Sequence, residues 1–149
     1  GAITATPIQV ANAYRTLISG KLSNPYINKD NQNQSESSIG ATEDFVNFLL
    51  KDLNSVTNKG GTAYASFQVL GNKVNDVGGK TGTAQNSGDK NNTSWFVGID
   101  SISNPRYIIA TVIEEGGSGS AIAAPVTRRV IQSLRGMEPT PVKFGEITE

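Results

Sequence analysis

Three short strand-like runs, residues 76–85, 94–100 and 106–114, limit what this chain can fold into more than any other feature. Their β-branched and aromatic residues suit a pleated, half-buried surface. The connections between them, 86–93 and 101–105, are short and made largely of Asn, Ser, Gly and Asp, a spacing that allows antiparallel neighbours. Segments of helical period flank these runs. Near residues 6–19 the apolar side chains Ile8, Val10, Ala11, Tyr14, Leu17 and Ile18 recur at helical spacing, with Thr6-Pro7 as N-cap and first-turn proline and Gly20 as the stop. Thr42, Glu43 and Asp44 place a cap and negative charge before Phe45, Val46, Phe48, Leu49, Leu50, Leu53 and Val56, which predicts a helix over 43–56. A last helix is expected over 121–134, with Ile122, Ala123, Val126, Val130, Ile131 and Leu134 as one buried stripe and Arg128 and Arg129 on a charged face. The polar run 28–38 reads as a mobile surface connection, and 137–149 as a loosely ordered tail after a body of residues 1–136. The expected class is α+β: an antiparallel sheet of at least three strands with helices packed on it.

Composition narrows the chemistry. The 149 residues hold thirteen basic and thirteen acidic side chains, and a net charge of +0 removes the broad cationic field of a nucleic-acid binder. No Cys is present, which excludes disulfides, thiol catalysis and thiolate metal sites; with no His either, ordinary zinc chemistry lacks its ligands. Neither a metal nor a cofactor is expected. No stretch approaches the ~20 apolar residues that cross a bilayer.

The run Gly79-Lys80-Thr81-Gly82-Thr83-Ala84-Gln85 puts an amine and two hydroxyls on one strand, with Gly82 allowing a ligand close to the backbone. Alternation sets Lys80 and Gly82 on one face and Thr81 and Thr83 on the other, so one flat ligand meets all four only if local twist helps. A carboxylate ~4 Å from an ammonium gains about 4 kcal/mol at the dielectric typical near protein surfaces, which makes Lys80 a candidate carboxylate anchor. Lys-Thr-Gly alone is a weak signal, and its bland reading is a hairpin.

Context strengthens it. The blocks Gly1-Ala2-Ile3-Thr4-Ala5-Thr6-Pro7-Ile8-Gln9-Val10-Ala11-Asn12-Ala13-Tyr14, Gly61-Thr62-Ala63, residues 79–85, Trp95-Phe96-Val97-Gly98, Val112-Ile113-Glu114-Glu115-Gly116-Gly117 and Ala123-Ala124-Pro125 follow one another in this order. Together they resemble the carboxy-terminal part of the transpeptidase domain of class B penicillin-binding proteins, most closely the actinobacterial, elongation-type members, over nearly the whole chain. The resemblance implies a partial beta-lactamase/transpeptidase-like fold. It also implies a serine acyl-enzyme reaction on the D-Ala-D-Ala end of a peptidoglycan stem peptide, trapped by beta-lactams. Carried over, Lys80 serves the proton network and the substrate carboxylate. Thr81 and Thr83 offer hydroxyl hydrogen bonds, Gly82 lies in the substrate-binding strand, and the Thr83 N–H is one oxyanion-hole donor.

The family's other two motifs are missing. Ser87-Gly88-Asp89-Lys90 has the Ser-x-x-Lys spelling but sits in a Gly/Asp/Asn loop, read as a solvated turn, and no Ser-x-Asn occurs. The chain therefore has no nucleophile, and the resemblance places the acylating Ser, its Lys and the second-motif Ser and Asn before Gly1. A fragment, inactive alone, is the expectation. In the family's five-stranded sheet two strands also precede Gly1, so the 106–114 strand loses a neighbour and the chain is expected to self-associate or swap elements. The implied location is the extracytoplasmic face of the bacterial membrane, through an upstream anchor. Two alternatives are a non-catalytic scaffold or binding module of the same fold and a beta-lactamase-like hydrolase. Phe96 is read as core, and Glu114 and Glu115 as a solvated strand end rather than an acid–base pair.

Overall fold

The computed structural model describes residues 4–28 and 35–142. Helix α1, Pro7–Ser19, starts where the sequence predicts: the Thr6 hydroxyl accepts from Gln9 N, and Gln9 Oε1 accepts in return from Thr6 N. That reciprocal box satisfies two orphan donors of the first turn. Gly20 ends the helix at φ 68°, a left-handed position that costs glycine little. Next come a two-residue strand β1, Lys21–Leu22, its antiparallel partner β2, Ser37–Ser38, and α2, Glu43–Thr57, capped by Thr42. Of the polar run 28–38, residues 29–34 lie outside the described residues, while Glu36 pairs with Lys21 at 3.2 Å.

Between α2 and the main sheet, a short helix α3, Tyr64–Phe67, runs into 3-10 turns over Gln68–Asp76. Strands β3, Val77–Ala84, β4, Thr93–Asp100, and β5, Tyr107–Ile113, then form an antiparallel sheet in the order β3-β4-β5, bearing out the α+β reading. A π-helical turn, Gly119–Ala123, leads into α4, Ala124–Leu134.

The helices divide between the sheet's two faces. Helix α2 covers the face of Gly78, where a β-carbon would lie 3.2 Å from the Leu53 carbonyl carbon. The other face carries the main core, in which Phe67, Val77, Phe96, Ala123, Ala124 and Ile131 are fully buried. Phe67 stacks on Phe96 with ring centres 5.4 Å apart. Phe96 is core, as expected.

Helix α4 differs from its expected stripe. Ala123 and Ile131 are buried, but Val130 and Leu134 are 39% and 43% exposed, while Thr127, Arg128 and Gln132 are buried instead. The rows 123/127/131 and 124/128/132 face inward because the helix seats on a glycine: a β-carbon at Gly98 would lie 2.5 Å from the Thr127 methyl. The Thr127 hydroxyl meets that of Thr111 at 2.7 Å. Arg128 is not part of a solvated charged face. It donates to the carbonyls of Ser66, Thr140 and Pro141 at 3.0, 3.1 and 3.2 Å. Residues 137–142, assigned from sequence to the tail, are thus tied to α4, and Thr140 N also donates to Gln132 Oε1; residues 143–149 lie outside the described residues.

Candidate functional site

Strand β3 is enclosed at its start and open at its end. Val77, Gly78 and Gly79 are buried, whereas Lys80, Thr83 and Ala84 are exposed and Thr81 and Gly82 are half-buried. The Val77 carbonyl accepts from Asn54 Nδ2 and Thr57 Oγ1 of α2, both at 2.7 Å, so it points away from β4. Main-chain groups of a strand alternate sides residue by residue. Gly79, Thr81 and Thr83 therefore turn amide and carbonyl outward, while Gly78, Lys80 and Gly82 turn theirs to β4. Side chains of α2 occupy the first outward position. The amide of Thr83 lies on the stretch of edge that α2 leaves clear.

The two faces also meet at this edge. By register Lys80 pairs with Val97 and Gly82 with Trp95 on the α2 face, while Thr81 and Thr83 pair with Phe96 and Ser94 on the α4 face. Convergence, left open by the alternation argument, comes from the length of the lysine. Its Nζ donates to the Thr81 carbonyl at 3.0 Å, so the ammonium lies at the outer edge, where the Thr81 and Thr83 backbones point. Among the described residues no ion pair forms at Lys80. A cation without a carboxylate partner, beside outward amides, suits an anion or a carbonyl oxygen gaining charge.

Both hydroxyls are supported from behind. Thr81 Oγ1 lies 3.3 Å from Thr62 Oγ1, on the turn that follows α2. Thr83 Oγ1 accepts from the N–H of Gly119 at 3.3 Å. Gly119 must be glycine, because a β-carbon there would sit 2.3 Å from the Gly82 carbonyl oxygen and 2.4 Å from that of Trp95. Sequence reasoning missed Thr62 and Gly119 as parts of this site. The block Gly61-Thr62-Ala63 was the signal for Thr62.

The remaining candidates fall as expected. Ser87 is exposed in the β3–β4 turn, and Glu114 and Glu115 are exposed after β5. A groove of about 430 Å³ runs from Trp95 past Lys90 to those glutamates. The larger groove, about 1440 Å³, lies between α1 and the start of β5, away from Lys80, and holds none of this chemistry.

A family model for the penicillin-binding protein transpeptidase domain matches residues 1–132. This chain belongs to that family. Its relatives include the peptidoglycan D,D-transpeptidase MrdA of Haemophilus influenzae, 27% identical over 86% of this chain and 23% of that protein. Among solved structures the transpeptidase-family fold matches PBP2 from Helicobacter pylori with a TM-score of 0.75 at 27% identity, over 91% of this chain and 25% of the other. PBP2 of Pseudomonas aeruginosa, solved with WCK 5153, matches with a TM-score of 0.68 at 25% identity, over 98% of this chain and 34% of the other. The chain thus spans about a quarter of the MrdA and H. pylori proteins.

Proposed function

We propose that this chain is the carboxy-terminal segment of the transpeptidase domain of a class B penicillin-binding protein, and that the Lys80 strand forms one wall of its cleft. The carrying observation is the open end of β3, where the Lys80 ammonium and the outward Thr83 amide share one edge. In this reading a serine outside the chain attacks the penultimate D-Ala carbonyl of a stem peptide. Its proton passes to the local base network, and the terminal D-Ala leaves with a proton as its amine. An amine of a neighbouring stem then attacks the ester, forms the cross-link and releases the serine.

Lys80 anchors the stem-peptide carboxylate and favours the deprotonated partner in that network. The Thr83 N–H stabilises the developing oxyanion, a donor whose loss typically costs about 2.7–4 kcal/mol in such sites. Gly82 keeps the strand free of a side chain where the ligand lies, and Thr81 and Thr83 add hydroxyl contacts. Beta-lactams enter the same way and stop at the acyl ester. The proposed setting is the outer face of the bacterial membrane, held by a segment elsewhere in the polypeptide.

A fluorescent penicillin tests this. The whole transpeptidase carrying this chain is expected to be labelled covalently, and residues 1–149 alone are not. Absence of labelling in the whole protein would favour the scaffold reading, and stable labelling of the chain at Ser87 would overturn the assignment of the nucleophile. Rapid hydrolysis of the label would mark a beta-lactamase-like hydrolase.

A further inference from the structure

Ser94 has no part in the function proposed above, yet it is fully buried behind the candidate site with both hydrogen-bonding capacities used. Its hydroxyl donates to the Ser118 carbonyl at 2.9 Å and accepts from the Ala123 N–H at 3.0 Å. These two partners bracket the π-helical turn Gly119–Ala123, so one side chain of β4 spans the turn from end to end. Ser66 adds an outer tether, donating to the Ser120 carbonyl at 2.7 Å.

The turn so fastened lies directly on the Lys80 strand. Thr83 is the register partner of Ser94, and Gly119, the first residue of the turn, donates its N–H to the Thr83 hydroxyl. A hydroxyl has one proton to give and two lone pairs to receive. Once an amide occupies its acceptor side, its own proton is directed elsewhere, and the donated bond polarises it. Thr83 is thereby held as a donor at the open edge, the form that binds a carboxylate.

We propose that Ser94 is a positioning residue for anion recognition: by pinning the π-helical turn it keeps the Gly119 amide on Thr83 and fixes the threonine hydroxyl as a donor toward the ligand carboxylate. This rests on the transpeptidase reading of the site. It adds that selectivity for an acidic acyl donor is set partly from β4.

The test uses the whole transpeptidase carrying this chain and measures acylation by a fluorescent penicillin and by its methyl ester, which keeps the reacting carbonyl and loses the anion. Ser94→Ala is expected to slow acylation by the free acid about tenfold, the kinetic equivalent of one hydrogen bond, and to leave the ester rate unchanged. In a Thr83→Val background the same substitution is expected to have no further effect on the acid, because the relay then has no terminus. An equal fall for acid and ester would reduce Ser94 to a general structural role and overturn the inference, as would unchanged rates for both. Failure of the unmodified protein to acylate would instead remove the transpeptidase reading itself. Should Ser94→Ala not fold, Ser66→Ala cuts the outer tether of the same turn at a part-buried position. A selective loss with the acid supports the relay there, and an equal or absent loss rejects it.

Discussion

Lys80 and Asp76 stand at opposite ends of the strand's exposed chemistry. Among the described residues the Lys80 ammonium bonds to the carbonyl of its neighbour and to no carboxylate, so its charge is available to a ligand. Replacing it by alanine is expected to lower penicillin labelling of the whole transpeptidase ten- to a hundredfold, about the 1.5–3 kcal/mol of a hydrogen bond to a charged group. Folding is expected to be unaffected, and an equal loss of melting temperature would reassign Lys80 to stability. Asp76 has the opposite task. Burial pushes its carboxyl up, but hydrogen bonds from Ser101 and Ser103 and the charge of Arg135 outweigh that, and its pKa lies below the ordinary 3.8. A depressed carboxyl contributes stability that is complete above the unfolded value and is lost as pH falls through the folded one. The melting temperature gap between the native chain and Asp76→Asn is therefore expected at pH 6 and is expected to close below about pH 4. A gap constant with pH would show that the carboxylate charge contributes nothing.

At the scale of elements, what the sequence revealed and what it concealed divide by periodicity. Helix α1 was legible at its ends because Thr6, Pro7 and Gly20 carry local signals, and the three strands of the sheet were legible because β-branched runs alternate with polar loops. The stretch over 64–76 was not. Its turns are short, its backbone is broken at Gly71, and its order comes from distant partners: Phe67 on Phe96, and Ser66 on Arg128 and Ser120. Phe67→Ala is expected to destabilise the fold by about 3–5 kcal/mol in denaturant unfolding, since the ring is fully buried between α3, α4 and the sheet. A loss under 1 kcal/mol would mean that this layer is not part of the cooperative core. The site was legible to the same degree. Lys80, Thr81, Gly82 and Thr83 stood out as residues of one strand and Thr62 lay in a quoted block, whereas Gly119, and Ser94 behind it, reach that strand through tertiary contacts that no local pattern announces.

For the molecule as a whole, the sheet's margins matter most. In the order β3-β4-β5 the outer side of β5 has no strand partner among the described residues. Unpaired strand edges template further pairing. We therefore expect residues 1–149 in isolation to associate or exchange elements as concentration rises, with light scattering showing a mass above the monomer. A single monomeric mass over the whole range would show that α1, which packs beside β5, protects the edge sufficiently.

The perch of Lys80 on the Thr81 carbonyl carries one last implication. An arriving anion need not drag a lysine out of bulk solvent, because the ammonium already waits at the rim and has only to trade one oxygen for another. Such an exchange adds little contact but leaves the long-range pull of the charge intact. Added electrolyte, which shortens that reach to about 8 Å under physiological conditions, is expected to slow a ligand's arrival more than it hastens its departure.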